Sequence, residues 1–211
     1  MTDTWSERAD LYRASEAHRE GEDLDLIVEW ARGKNALDVA TGGGHVARRL
    51  RDAGLEVTTL DPAPGMGADV VAPAEQIPFA DRSFDVVACR VAAHHFTDVG
   101  RATAEMARVS RGLVLVADNL FLGGHVEEAE RLRDPTHVRC YSEDEWRELF
   151  AAAGLDVDDV RSLEKRIELG PWLERAGCIG QEAERVRELL GDRISGDHVV
   201  LTRIVLKGSK V

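Results

Sequence analysis

The stretch Asn35–Asp61, NALDVATGGGHVARRLRDAGLEVTTLD, decides the fold. NALDVA is short and almost wholly apolar, as a strand buried on both faces must be. Gly42, Gly43 and Gly44 let the backbone turn sharply behind it. Val46, Ala47 and Leu50 then recur at helical spacing, and Gly54 stops that helix. LEVTTL at 55–60 is a second strand. Strand, glycine turn, helix and strand make a βαβ unit, which requires parallel pairing.

Working outward, FDVVAC at 84–89, Gly112–Ala117 and Val199–Leu206 read as further strands. Ala68–Ala72 reads as a very short strand, and Val157–Leu169 as one with irregular ends. Helices are expected over Trp5–Glu20, over Leu24–Ala31 with Gly33 as its C-cap, and over Asp98–Ser110 and Gly123–Arg133. Ser142 and Glu145 form a capping-box pattern that opens a helix to Ala153, and Gly170–Leu190 holds one or two more. This alternation predicts an α/β fold with a mostly parallel sheet. No linker divides the chain, so a single domain over 1–211 is expected. Residues 1–33 supply N-terminal helices, 34–120 a ligand-binding core, and 121–211 a substrate-side lid and the last strands.

Composition sets the outer bounds. The 211 residues are 44% hydrophobic and 31% charged, the profile of a globular chain and not of a disordered one. The net charge of −12 disfavours nucleic acid and anionic membranes as partners. The only lysines are Lys34, Lys165, Lys207 and Lys210, which makes a lysine nucleophile a poor candidate. Cys89, Cys140 and Cys178 form no CxxC pair, as expected of unpaired thiols in a reducing cytoplasm. Neither a signal peptide nor an apolar run long enough to span a membrane is read.

The glycine turn points to a nucleoside ligand. The helix behind it aims backbone amides at the turn, and Asp61, closing the second strand, can accept two ribose hydroxyls. Gly42-x-Gly44-x-x-Ala47 with Asp61 further on also satisfies a dinucleotide fingerprint. Asp38 discriminates between the two. A carboxylate just before the glycines would repel a pyrophosphate but attract the ammonium group of a sulfonium cofactor.

LDVATGGGHVA, LDPAPGM, AEQIPFADRSFDVVACRVAAHHFTD and VADN together resemble class I S-adenosylmethionine (SAM)-dependent methyltransferases. The likeness is greatest to the small-molecule branch around the ubiquinone and menaquinone enzymes. RDPTHVRCYSEDEWRELFAAAGL, and Tyr12, Ser15, His18 and Gly21, are similar to a bacterial subgroup of that branch. The resemblance covers roughly Tyr12–Trp172. It implies a Rossmann-like seven-stranded, mostly parallel sheet in the order 3-2-1-4-5-7-6, with the last strand antiparallel. It implies SAM as cofactor, with Asp38, Ala40, Gly42 and Gly44, then Asp61, Pro62 and Met66, then Ala74, Glu75 and Arg90 around it. Asp61 would hold the ribose, Ala74 and Glu75 would flank the adenine, and Arg90 and its successors would lie beside the transferred methyl.

Two departures stand out. Pro73 occupies the position where the family usually carries an Asp that bonds the adenine. The segment from Asp61 to Ala68 is too short for the usual crossover helix between strands 2 and 3. A bare sheet edge is then expected, covered by a partner subunit, as in a homodimer, or by a C-terminal element.

Methyl transfer is an in-line displacement in which the protein supplies proximity, orientation and, where the acceptor needs it, a base. His94 and His95 follow the fourth strand at the ligand-binding end of the sheet, and with His137 they are the catalytic candidates. Tyr12, His18, Asn119, Arg133 and Arg139 are candidates for binding a small-molecule substrate, the arginines through an anion on it. Asp118-Asn119 resembles part of the metal site of catechol-type enzymes, but the first acidic ligand is absent; the pair reads as a turn, and no metal is expected. The tryptophans, Trp146 and Trp172 among them, read as core. Two other readings stand beside methyl transfer: a methyltransferase fold serving as a non-catalytic interaction module, and an NAD-dependent oxidoreductase.

Overall fold

The structure, a computed structural model, describes residues 4–14 and 19–210. Ser15 and His18 lie outside the described residues, as does the Tyr12 side chain. In chain order the helices are α1 Thr4–Glu7, α2 Ala9–Ala14, α3 Glu22–Trp30, α4 His45–Asp52, α5 Val99–Val109, α6 Gly124–Arg133, α7 Glu143–Ala152, α8 Leu169–Arg175 and α9 Gly180–Leu190. The strands are β1 Asn35–Val39, β2 Glu56–Asp61, β3 Val70–Val71, β4 Phe84–Arg90, β5 Ser110–Asn119, β6 Leu155–Glu168, β7 Ile194–Ser195 and β8 His198–Lys210.

The sheet runs β3-β2-β1-β4-β5-β8-β6. The first five strands are parallel, and β8 is inserted antiparallel between β5 and β6. This is the expected order, with one addition: β7 is a two-residue strand paired to β8. Both faces are covered, which is why the central strands read as continuous apolar runs. On one face Leu24 and Ile27 of α3 and Leu50 of α4 pack on Val86, Ala88, Leu115 and Val205. On the other, Met106 of α5 and Trp146 and Phe150 of α7 pack on Val87, Val114 and Leu206. A third cluster joins Leu173, Val186 and Leu190 of α8 and α9 to Val199 and Leu201 on β8.

The capping box at Ser142 and Glu145 is present as read. Gly33 is not the C-cap, since α3 ends at Trp30 and Ala31 caps it. Its φ of 127° and a Cβ position 2.4 Å from Asp85 Cβ show that only glycine lets the chain pass Asp85 there.

Between β2 and β3 the crossover helix is indeed missing, and one 3-10 turn, Pro64–Met66, stands in its place. Asp69 closes the short connection by accepting the backbone N–H and hydroxyl of Thr59, both at 2.8 Å. The flank is covered, but by the N-terminal helices and not by a C-terminal element. Gly65 donates its N–H to Ser6 Oγ at 2.8 Å, Arg13 donates to the Gly65 carbonyl, and Ala9 packs with Ala63, Met66 and Trp5. That flank therefore gives no ground for a covering subunit. Among the described residues, no helix is long and apolar enough to cross a membrane.

Gly208 on β8 offers a test of the packing. A Cβ there would lie 2.5 Å from the Phe150 ring. Gly208→Ala is expected to lower stability by about 1–3 kcal/mol through overpacking. In urea this would appear as a lower midpoint at unchanged slope, and an unchanged midpoint would contradict the contact.

Candidate functional site

A cavity of about 330 Å³ opens at the carboxyl ends of β1, β2, β4 and β5. That is where open α/β sheets hold ligands, because the strand order reverses on either side of β1. The turn after β1 forms one wall. Gly42 and Gly44 have φ of 51° and 73°, in the left-handed region, and a Cβ on either would meet nothing within 4 Å. Gly42 and Gly43 line the cavity, whereas Gly44 is the N-cap of α4 and does not. Two non-glycine residues share that conformation on the cavity wall: Ala40 at φ 54° after β1, and Val91 at φ 56° after β4. For a β-branched residue this is strained, typically by about 1–3 kcal/mol, and such strain concentrates at functional sites.

Asp38 holds the turn together. Its Oδ2 accepts the Thr41 hydroxyl at 2.5 Å and the Ala47 N–H at 3.1 Å. Burial pushes its pKa up to about 6, partly offset by those bonds. Asp61, also buried, accepts the Gly42 N–H at 3.0 Å and the Ala63 N–H at 2.9 Å, so it ties the glycine turn to the end of β2. Pro62, Met66, Pro73, Ala74 and Glu75 continue the wall. The Glu75 carboxylate itself is turned onto Thr97, whose N–H and hydroxyl it accepts, both at 3.0 Å.

His94 and His95 form one 3-10 turn after β4, and both line the cavity. His94 Nδ1 lies 2.5 Å from Asp118 Oδ1, and its backbone N–H donates to Asp118 Oδ2 at 2.8 Å. Asp118 is only 1% exposed. Burial alone would raise its pKa, but His94 and Arg203 hold it below the ordinary carboxylate value. The reading of Asp118-Asn119 as a turn is therefore corrected, because Asp118 is the buried partner of His94. The register makes this legible in hindsight: Arg90 pairs with Ala117, which brings the ends of β4 and β5 together. His95 donates from Nδ1 to the Thr136 carbonyl at 3.0 Å, since a carbonyl can only accept. Burial, then the neighbouring His94, lowers its pKa to about 3.

Other candidates move. His137 does not reach the cavity. Its buried ring stands behind His94, centroids 5.4 Å apart, with Nε2 3.0 Å from Glu127 Oε1. Burial, then His94, lowers its pKa. Arg139 also misses the cavity; it pairs with Glu145 at 2.5 Å and lies over the Tyr141 ring. The loop carrying both is a support: the Val138 and Arg139 amides donate to the His94 carbonyl. Arg133 does line the cavity, paired with Glu130 and stacked on Trp172. Asn119 lines it as well.

Among the lining residues that sequence reasoning missed are Trp5, Lys165, Arg175 and Arg203; Trp172 is core, as read, and also borders the cavity. Trp5 meets His95 edge-on at 4.6 Å. Arg90 lines the cavity, but its Nε donates to Asp23 Oδ2 at 2.7 Å and its Nη2 to Oδ1 at 3.2 Å. That pairing with α3 carried no local sequence signal.

Residues 37–115 match a family model described as a methyltransferase domain. The uncharacterised methyltransferase YcgJ of Bacillus subtilis is 33% identical over 211 residues, spanning 88% of this chain and 82% of that protein. The chain belongs to the class I SAM-dependent methyltransferases. The crystal structure of YcgJ superimposes on this methyltransferase with a TM-score of 0.80 at 29% identity, covering 89% of this chain and 97% of that one. The demethylmenaquinone methyltransferase of Renibacterium salmoninarum is 37% identical over 98 residues, 41% of either chain. That likeness spans less than half of either chain and leaves the acceptor open.

Asp38 predicts a pH dependence of stability. Its folded pKa exceeds the ordinary carboxylate value, so the folded methyltransferase takes up a proton between roughly pH 4 and 6 that the unfolded chain lacks. The stability this contributes is present below that window and lost as pH rises through about 6. The gap corresponds to on the order of 3 kcal/mol. His95 acts oppositely: its lowered pKa gives stability that is lost as pH falls from about 6.5 towards 3. The two offset each other in the wild type, so the difference between variants is the readout. Asp38→Asn keeps an acceptor for Thr41 and Ala47, and should gain on the wild type in urea unfolding as pH rises from 4 to 7. A gap independent of pH would contradict a raised Asp38 pKa.

Proposed function

We propose that the cavity binds SAM and that the enzyme transfers its methyl group to a small-molecule acceptor in the cytoplasm, with the whole chain acting as one catalytic unit. The observation that carries this is the glycine turn after β1, whose Gly42 and Gly43 line the cavity, flanked by two buried carboxylates, Asp38 and Asp61. Asp61 stands at the end of β2 on the cavity wall, where a carboxylate can accept ribose hydroxyls. Ala74 and the Pro73 backbone would border the adenine, with Met66 and Pro62 beneath the ribose. Asp38 and Ala40 would border the methionine moiety. SAM, when bound, supplies an activated methyl group on a sulfonium leaving group.

The chain's own contribution is orientation and proton handling. His94 donates from Nδ1 to Asp118, which leaves Nε2 as the lone pair available to the acceptor's proton. Asp118 holds that tautomer and stabilises the imidazolium once the proton has moved. The loop at Thr136–Arg139 fixes both cavity histidines from behind. His95 stays neutral at physiological pH and serves as a hydrogen-bonding wall beside His94. A volume of about 330 Å³ is at the lower end of the range for small-ligand pockets, and the charge of −12 argues against nucleic acid.

The alternatives lose ground on the same geometry. A dinucleotide would bring its phosphates against Asp38, and a purely structural module has no need of strained Ala40 and Val91 on a cavity wall.

Calorimetry with S-adenosylhomocysteine and NAD separates the readings. S-adenosylhomocysteine should bind, and Asp61→Ala should weaken it roughly 10- to 100-fold, the worth of one or two hydrogen bonds to a charged group. NAD should not bind. Binding of NAD alone, or of neither ligand, would overturn the proposal.

A further inference from the structure

Behind His94 and outside the cavity, three metal-ligating side chains meet. Glu127 comes from the first turn of α6, and His137 and Cys140 from the loop that follows that helix. One donor atom of each, a carboxylate oxygen, an imidazole nitrogen and Sγ, lies within 4.8 Å of the other two. All three residues are buried, Glu127 at 8% exposed, His137 at 6% and Cys140 at 4%. Two residues separate His137 from Cys140, a spacing at which pairs of ligands grip one zinc ion. The chain between them is fixed, because the Val138 and Arg139 amides donate to the His94 carbonyl. Just past Cys140, Tyr141 bridges to Leu120 at the end of β5. Helix and anchored loop thus bring the three donors together before any ion arrives.

Hydrogen bonding within the protein leaves this cluster unfinished. Glu127 accepts from His137 Nε2 at 3.0 Å and from the Cys140 amide at 3.2 Å, since a carboxylate can only accept. It also meets Arg131 Nη2 at 3.5 Å, from a side chain that is more than half exposed. His137 Nδ1 is sealed from solvent and has no hydrogen-bond partner among the described residues. The imidazole is therefore only half served by the protein, and an unmet buried nitrogen is costly. Burial pushes the Cys140 thiol up from its ordinary pKa, so without an ion it is a neutral S–H. Bracing the loop would not by itself need such a set, because apolar side chains of similar volume do that as well. Nitrogen, sulfur and oxygen donors together suit a borderline cation, and the thiolate disfavours magnesium and calcium.

We propose that Glu127, His137 and Cys140 bind one zinc ion that ties the loop behind His94 to α6. On binding, the Cys140 S–H proton passes to solvent and the sulfur ligates as a thiolate. The imidazole ligates through a lone pair and stays neutral. One carboxylate and one thiolate then cancel the charge of the ion, which lets the site stay buried. Tetrahedral zinc sets such donors about 3.3–3.6 Å apart, so the side chains close in by roughly 1 Å at most, with no change of fold. Water takes the fourth position. The ion acts through position and does not touch the cavity; it stands apart from Asp118 and Asn119, and the inference does not depend on the methyltransferase reading.

The test uses the full chain, stripped of metal by a chelator and titrated with cobalt(II), a spectroscopic substitute for zinc, and then with zinc. One equivalent of cobalt(II) should produce a thiolate-to-cobalt charge-transfer band, and zinc should abolish it by displacement. Cys140→Ser, which keeps the backbone bond to Glu127, should lose the band. Its zinc affinity should fall roughly 100-fold or more, since changes even to outer partners of a metal site cost about 10- to 100-fold. Glu127→Gln keeps an oxygen to accept from His137 and Cys140, and should weaken zinc at least about tenfold while the band survives at saturating cobalt(II). The melting temperature of the wild type should climb with zinc concentration, and that of Cys140→Ser should not. A band that persists in Cys140→Ser would put the ion on another thiol and overturn the proposal. So would the absence of a band, or equal zinc affinity in the wild type and both variants, the mark of adventitious surface binding. Should Cys140→Ser fail to fold by circular dichroism, Glu127→Gln decides alone, and unchanged zinc affinity there would overturn the proposal.

Discussion

One buried carboxylate oxygen holds the turn on which the site depends. Asp38 Oδ2 accepts both the Thr41 hydroxyl and the Ala47 amide, and so joins the end of β1, the glycine turn and the first turn of α4. Without that acceptor the turn would bury two donors unpaired, each costing about 1–3 kcal/mol. Asp61 repeats the device one strand over, through the Gly42 amide. The two carboxylates that set the electrostatics of the glycine end of the cavity are thus also what shapes it. The same economy appears on the other side, where Asp118 orients His94 through both its ring and its amide.

What could be read from sequence follows the range of the interactions. The β1 turn, the capping box at Ser142 and Glu145, and the loss of the crossover helix are set by residues within a few positions of one another. Hydrophobic period and glycine spacing therefore reveal them. The cover over the shortened connection is different in kind. Ser6 meets Gly65 across 59 positions, and neither residue carries a pattern that names the other. The contacts over the connection come from the N-terminal helices, and not from the C-terminal element that was one of the two covers expected.

The site divides along the same line. Gly42, Gly44, Asp61 and the His94–His95 pair sit at strand ends that the βαβ reading already locates. His137 and Arg139 were drawn in by their density in one loop. Density in sequence is a poor guide here, because the loop spends those side chains on Glu127 and Glu145 to brace His94 from behind. Arg203 and Lys165, by contrast, come from alternating positions of β6 and β8 that look like ordinary strand residues. Only the antiparallel insertion of β8 brings them to Asn119 and Arg90.

The net charge of −12 argues against a polyanionic partner but says little about which small ligand this enzyme prefers. At physiological salt the field of a surface charge is screened over about 8 Å, whereas buried charges are screened far less. Acidic residues on the surface govern solubility and long-range encounter. The cavity answers to the few groups that line it, among them Asp38 and Asp61 beside the glycine turn, His94 and His95 after β4, and arginines drawn from β4, α6, α8 and β8. Orientation is most of what a methyl-transfer site must provide, and it is set by these fixed groups and not by the surface charge.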